Sequence, residues 1–159
     1  MSKKLAIVGG LTIAAFAVVG IYMAGETNPA LATVDQSDPK IIMKGSLLYE
    51  ANCASCHGKN LEGQPNWQVK NDDGTLPAPP HDKDGHTWHH DDGLLFNYTK
   101  DGGASLGIDG FVSGMPPFRD TLSDDEIWSA LAFIKSTWPE KHRARQALAT
   151  QQVLGSNGK

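Results

Sequence analysis

The stretch Cys53-Ala54-Ser55-Cys56-His57 decides the fold, because it carries the pattern C-x-x-C-H. Two thiols three positions apart at the end of a helix can each add to a vinyl group of a haem. The histidine that follows can then place its imidazole on the iron from the same face. The spacing therefore predicts one covalently attached haem c, with Cys53 and Cys56 as the attachment points and His57 as an axial iron ligand.

A cysteine pair of this spacing has three other common uses. A thioredoxin-like redox pair would need a βαβ pattern beside it, which the sequence lacks. A zinc site would need two further ligands, which the downstream histidines could supply. An exported chain could also hold the pair as a disulfide. The histidine directly after Cys56 favours haem over all three.

The iron then needs a sixth ligand, unless the site is open. Of the four methionines, Met1 and Met23 lie in the first 25 residues, and Met43 lies on the helix before the cysteines, where we expect it to pack. Met115 lies in the loop Ser-Gly-Met-Pro-Pro-Phe, residues 113–118. Glycine allows close backbone approach and proline stiffens the loop, so Met115 is the predicted ligand. A histidine ligand and an ordinary packed methionine are the alternatives.

Composition narrows the function classes. The chain has 159 residues, a size typical of one domain, with a formal net charge of −4. This mildly acidic balance argues against a nucleic-acid partner. With 40% apolar residues the chain can form a small core, and two cysteines are too few for a disulfide scaffold.

The N-terminal residues predict a membrane anchor. Residues 5–25 carry no charge and follow a short basic start. As a helix they would be about 31 Å long, close to the hydrocarbon thickness of a bilayer. We expect residues 1–25 to anchor the chain in the cytoplasmic membrane, with the haem domain on the periplasmic side and residues 26–38 as a linker. The alternative is a signal peptide cleaved after Ala30-Leu31-Ala32, which would leave a soluble periplasmic protein.

The rest of the chain predicts helices separated by long loops. Asp38-Pro39 is a helix start that leads to about Cys53, and a capping box begins at Ser123. The apolar positions of the helix after Ser123 are Ile127, Ala130, Leu131, Phe133 and Ile134. The other expected segments are a loop over 58–90, a helix over 91–100 with Leu94, Leu95 and Tyr98 on one face, a loop over 101–122, and a more polar helix from Pro139 to about Gln152. A loop as long as 58–90 is unusual unless it wraps something other than protein.

Residues 39–137 resemble the class I monohaem cytochromes c, a family of small periplasmic electron carriers. Gly45 and Tyr49 fall at the family's glycine and aromatic positions in the first helix, and Phe133 at its aromatic position in the last. The resemblance implies an all-α cytochrome c fold, in which three or four short helices and long loops surround a covalent haem. It also implies that the first and last helices cross closely at Gly45. Residues 138–159 would form a C-terminal helical tail.

The resemblance assigns two further residues to the haem site. Gly85-His86-Thr87-Trp88 is similar to the family segment whose tryptophan donates its indole N–H to a haem propionate, which implies that role for Trp88. Pro79-Pro80-His81 is similar to the segment whose proline carbonyl accepts the N–H of the iron-ligating imidazole, which implies that role for Pro79. His81 departs from the family pattern, which has an apolar residue there.

The loop over 81–92 concentrates histidines and aspartates. It contains His81, His86, His89 and His90, with Asp82, Asp84, Asp91 and Asp92 around them. One interpretation is a second metal site for copper or zinc, with His86, His89 and His90 as candidate ligands. The other is a polar network beside the propionates, with Asp91 or Asp92 capping the next helix.

The function expected from these residues is electron transfer outside the cytoplasm by a haem c with His57 and Met115 as axial ligands. Such a protein is an electron carrier rather than an enzyme, although it can also be the cytochrome subunit of an oxidoreductase complex. Its expected partners are the membrane and redox proteins, with no small-molecule substrate and no nucleic acid. The alternative is metal handling by a haem protein with copper or zinc in the loop over 81–92.

Overall fold

The computed structural model describes residues 37–157, which form an all-helical domain. Its helices are α1 (Pro39–Asn52), α2 (Ala54–His57), α3 (Asp92–Asp101), α4 (Asp124–Ser136) and α5 (Glu140–Asn157). Short 3-10 turns cover Thr87–His89 and Gly103–Leu106. Within these described residues the only β-type pairing is one isolated bridge, between Thr75 and Val112. The expected anchor over 1–25 and most of the expected linker lie outside the described residues, and none of the described helices is long and apolar enough to cross a membrane.

Helix α1 begins as the sequence predicts. The Asp38 carboxylate accepts a hydrogen bond from the Lys40 amide at 2.8 Å, and Pro39 occupies the first turn, where its missing N–H costs nothing. The helix runs almost directly into α2, the single turn that carries Cys56 and His57. Gly58 ends α2 at a φ of +81°, a conformation that favours glycine.

The close crossing of α1 and α4 at Gly45 is confirmed. A Cβ atom on Gly45 would lie 1.9 Å from the Ser129 carbonyl oxygen and 2.9 Å from the Phe133 Cβ. The capping box that begins α4 is also confirmed, because the Ser123 amide donates to the Glu126 carboxylate at 3.0 Å. These contacts fix α4 against the helix that leads into the cysteine motif.

Two expectations about the helices need correction. Helix α3 begins at Asp92, one residue later than expected. The expectation that Asp91 or Asp92 caps this helix is confirmed for Asp91, whose carboxylate accepts from the Leu94 amide at 3.0 Å. Its most buried apolar residue is Phe96, at 1% exposure, whereas the expected face of Leu94, Leu95 and Tyr98 is only half-buried. Phe96 is buried because its ring stacks on Trp128 of α4 at 4.5 Å.

Helix α5 is longer than expected and packs closely against the domain. It continues to Asn157 instead of ending near Gln152. Its buried residues His142, Gln146 and Thr150 are polar and spaced four apart, so they form one stripe along the helix. This stripe contacts α3 and the turn at Thr87–His89.

The stripe on α5 is held by a buried charge network. The Lys135 ammonium of α4 binds the Asp92 carboxylate at 2.6 Å, and the Gln146 amide donates to the same carboxylate at 2.7 Å. The Thr150 hydroxyl accepts from the Asp92 amide at 3.0 Å. Removing two charges from water is costly, so the pair depends on these added hydrogen bonds, which tie α3, α4 and α5 together.

Candidate haem site

The cysteine motif lies where α1 meets α2, against an apolar cluster. Tyr49, Leu61, Ile134 and Trp138 are core members of this cluster, and Cys53 packs on it. Cys53 is half-buried and Cys56 is exposed. Burial, followed by the neighbouring Cys56, raises the pKa of the Cys53 thiol to about 11. A reactive redox cysteine needs a lowered pKa, so this environment argues against a thioredoxin-like pair.

His57 is buried and oriented by the backbone of the long loop. Its exposure is 7%, and its Nδ1 lies 2.9 Å from the Pro79 carbonyl oxygen. Burial lowers the pKa of His57, while the hydrogen bond to Pro79 acts in the opposite direction. A neutral imidazole that donates through Nδ1 presents Nε2 with a free lone pair, which is the form a metal requires.

The loop over 58–90 folds back over His57. The His81 amide donates to the Leu61 carbonyl at 2.8 Å, and the Gly63 amide donates to the His57 carbonyl at 2.7 Å. Gly63 lies so close to the loop segment at Pro79 and Pro80 that a Cβ on Gly63 would be 2.5 Å from the Pro80 nitrogen. These contacts bring Pro79 to His57 across 22 positions of sequence.

His81, which departs from the family pattern, lies against His57. The two rings stack with centroids 4.0 Å apart, and the His81 Nδ1 lies 2.8 Å from the Thr87 hydroxyl. Burial, followed by the nearby His57 and His86, lowers the pKa of His81 well below its usual value. A neutral, hydrogen-bonded histidine can therefore occupy a position where the family has an apolar side chain. The His81 carbonyl also accepts from the Trp138 indole at 2.7 Å, which ties the loop to the end of α4.

Trp88 packs on the same cluster as Cys53, and its indole Nε1 is buried. Within the described residues this nitrogen has no hydrogen-bond partner. A buried N–H without a partner costs on the order of 1–3 kcal/mol, so such a group calls for an acceptor. A carboxylate of a bound haem is an acceptor of the kind that fits this position.

Met115 lies half-buried in a loop that is tied to the end of α3. Its amide donates to the Ser113 hydroxyl at 3.1 Å, and the Tyr98 hydroxyl is 3.1 Å from the same oxygen. Gly103 allows this close approach, because a Cβ there would lie 2.0 Å from the Ser113 Oγ. The expectation that Met43 packs is wrong, since its side chain is 67% exposed on α1.

The three candidate ligands of a second metal site do not form one. His86 stacks on Trp67 at 5.2 Å, and His89 stacks on Trp88 at 3.8 Å. His90 meets the His86 ring edge-on at 5.2 Å. Across residues 37–157 no group of three or more histidines, cysteines or carboxylates is arranged to hold a metal ion. The copper or zinc interpretation of this loop, and a zinc site at the cysteine pair, therefore lack support in the described residues.

Residues that the sequence analysis missed lie on α5, beside Trp88. The His142 ring meets the Trp88 ring edge-on with centroids 4.0 Å apart, and the Arg145 guanidinium lies 5.2 Å from the Trp88 ring centroid. A polar helix after a proline is a sign of solvent exposure, so its composition did not predict this contact. Only the spacing of His142, Gln146 and Thr150 at i, i+4 and i+8 could have indicated a buried face.

Comparison with known proteins gives a consistent result. Residues 41–134 match the family model described as cytochrome c oxidase, cbb3-type, subunit III. The cytochrome bc1 complex cytochrome c subunits of Mycobacterium bovis and Mycobacterium tuberculosis are 36% identical over 58 residues. The Mycobacterium leprae subunit has the same identity over the same length. The aligned part is 36% of this chain but only about a fifth of each relative. No solved structure matches.

The comparisons agree with the geometry around Cys53, Cys56 and His57. They support an all-α cytochrome c domain with covalently bound haem c, whose chemistry is electron transfer. The family match covers more than half of the chain. The chain therefore belongs to the class I monohaem cytochromes c, in the family described as cytochrome c oxidase, cbb3-type, subunit III.

Proposed function

We propose that this protein is a membrane-associated electron carrier whose haem c has His57 and Met115 as axial ligands. The observation that carries the proposal is the buried His57, held through Nδ1 by the Pro79 carbonyl directly after the cysteine pair. When bound, haem c supplies an iron that takes up and releases one electron. Cys53 and Cys56 would hold it covalently.

The protein's residues contribute orientation and exclusion of water. The Pro79 carbonyl keeps the His57 proton on Nδ1, which makes the other nitrogen the better donor to iron. The buried cluster around Tyr49 and Trp138 excludes water from the inner side of the motif. Cys56 is exposed, so a redox partner can approach the attachment side of the domain.

Met115 is proposed as the second ligand because its loop is braced at both ends. Ser113 and Tyr98 hold the residues before it, and Pro116 and Pro117 stiffen those after it. A thioether favours reduced iron relative to a nitrogen ligand and so raises the reduction potential. Both axial positions would then be filled, as a carrier without a small-molecule substrate requires.

The protein is also proposed to work within, or next to, a larger respiratory membrane complex. The relatives are named as subunits of the cytochrome bc1 complex, and the family model as a subunit of an oxidase. We infer that this chain passes electrons between such membrane complexes, outside the cytoplasm, with residues 1–25 as its anchor. N-terminal sequencing and membrane fractionation test the anchor: a soluble protein that begins near Thr33 would contradict it.

The axial ligand is tested by Met115→Ala, with Met43→Ala as the matched control. Met43 is exposed on α1, so its variant should keep the wild-type spectrum and potential. Met115→Ala should lose the weak near-infrared sulfur-to-iron band and bind carbon monoxide in the reduced state. Its potential should fall by at least about 59 mV, a tenfold change for one electron. A Met115→Ala protein that keeps the band and the potential would contradict the assignment.

Haem attachment is measured first, by mass spectrometry of protein matured in an export-competent host. The mass should include one haem, and the increment should survive acid and detergent. Protein that remains without haem, despite full maturation machinery, would overturn the proposed function as a whole.

A further inference from the structure

The C-terminal helix α5 carries no residue of the cysteine motif, yet it packs directly on Trp88. The family match ends at residue 134, before α5 begins. Two rings of this contact, those of Trp88 and His142, lie with centroids 4.0 Å apart. A third group, the Arg145 guanidinium, lies 5.2 Å from the Trp88 ring centroid.

Both rings carry a buried nitrogen for which the described residues supply no hydrogen-bond partner. The Trp88 Nε1 and the His142 Nδ1 are buried, and neither forms a hydrogen bond within the part of the chain that the structure describes. His142 as a whole is only 9% exposed. Two unpaired buried nitrogens would together cost several kcal/mol, so their occurrence in adjacent rings favours a bound acceptor at this position.

The chemistry of the three groups defines that ligand. The indole nitrogen can only donate, the imidazole nitrogen donates when it carries the ring proton, and the guanidinium is a permanent cation. Two donors and a positive charge match an anion with two acceptor oxygens, and a carboxylate is such an anion. Trp88 also packs on the cluster that holds Cys53, so the carboxylates of a haem attached there are the nearest source.

We propose that α5 completes the propionate end of the haem site: Trp88 and His142 donate to a haem carboxylate, and Arg145 offsets its charge. This inference rests on the proposed function, because it requires the haem. It makes His142 and Arg145 positioning residues supplied by a segment outside the family match. A propionate anion stabilises the oxidised, more positive iron. Arg145 offsets part of that negative charge, so it weakens this stabilisation and raises the reduction potential.

The test compares Arg145→Gln with Arg143→Gln in the full-length haem protein. Arg143 lies on the same helix and carries the same charge, but its guanidinium binds the Trp138 carbonyl instead. Arg145→Gln should lower the midpoint potential by the equivalent of about a threefold to tenfold change in the reduction equilibrium constant. It should also move the pH-dependent part of the potential to higher pH, because a propionate without its cation is harder to ionise. Arg143→Gln should leave both properties near wild type.

A second measurement reports on the donors directly. In the reduced protein, the indole N–H of Trp88 should be protected from hydrogen exchange, and Arg145→Gln or His142→Phe should reduce that protection. Equal potentials and pH profiles in the two arginine variants would overturn the inference, as would an unprotected Trp88 N–H in the wild type. Because haem attachment is verified first, either result would leave the proposed function standing.

Discussion

The close crossing of α1 and α4 makes Gly45→Ala a sensitive test of the fold. The added Cβ would lie 1.9 Å from the Ser129 carbonyl oxygen, and real Cβ contacts are essentially never below 3.0 Å. The obstacle is backbone, so no side-chain rotation can relieve it, and the helices would have to separate by about 1 Å. Such overpacking typically costs about 1–3 kcal/mol, and a contact this short with backbone points to the upper end, about 3 kcal/mol.

Gly45→Ala is expected to lower the free energy of unfolding. Alanine stabilises a helix interior by about 1 kcal/mol relative to glycine, which leaves a net loss of about 2 kcal/mol. For a domain of this size that loss lowers the melting temperature by about 10 °C. Guanidinium titration and calorimetry of the haem-loaded protein would measure both quantities.

The matched control for this variant is Gly155→Ala. Gly155 is also helical, in α5, and a Cβ there would meet nothing within 4 Å. Its alanine variant should be unchanged or up to about 1 kcal/mol more stable. If Gly45→Ala behaved like Gly155→Ala, the close helix crossing would be refuted.

Two further outcomes concern the network and the cap. Lys135→Met should cost about 3–5 kcal/mol in urea titrations, because it leaves the Asp92 charge buried, and adding Asp92→Asn should recover part of the loss; a double variant no more stable than the single one would contradict this. Hydrogen bonds from the Ser123 amide and then from the Ser123 hydroxyl lower the pKa of Glu126. The ionised Glu126 carboxylate therefore adds stability above the ordinary pKa range of glutamate. That stability is lost as the pH falls through the lowered pKa. Glu126→Gln should therefore be less stable than wild type near pH 7, with the difference closing below about pH 4; a difference that does not depend on pH would argue against the cap's carboxylate.

Much of this protein could be predicted from contacts between near neighbours in the sequence. The haem motif spans five residues, the Asp38 cap acts over two positions, and the Ser123–Glu126 box over three. Interactions over such short separations depend on local backbone geometry alone, which residue type and spacing determine. The close helix crossing at Gly45 was predicted from the resemblance to the cytochromes c, because local spacing alone does not indicate which helices meet.

The tertiary structure decided whatever depends on residues far apart in the chain. His81 is neutral at its half-buried position because the fold brings Thr87 to its ring and the surrounding protein lowers its pKa. Among the candidate metal ligands of the same loop, His86 stacks on Trp67 and His89 stacks on Trp88, so the three described histidines do not converge on one point. A pattern of residue types records neither outcome, since both depend on which side chains the folded loop brings into contact.

Helix α5 shows the physical reason most clearly. Its sequence is polar, which by itself indicates a solvated helix, yet its buried face consists of His142, Gln146 and Thr150. Burying polar groups is favourable only when they form hydrogen bonds. Gln146 and Thr150 both bond to Asp92 of α3, whose charge is balanced by Lys135 of α4. The sequence alone determined the chemistry of the haem motif, whereas the position of α5 beside Trp88 was decided by hydrogen bonds that exist only after the chain has folded.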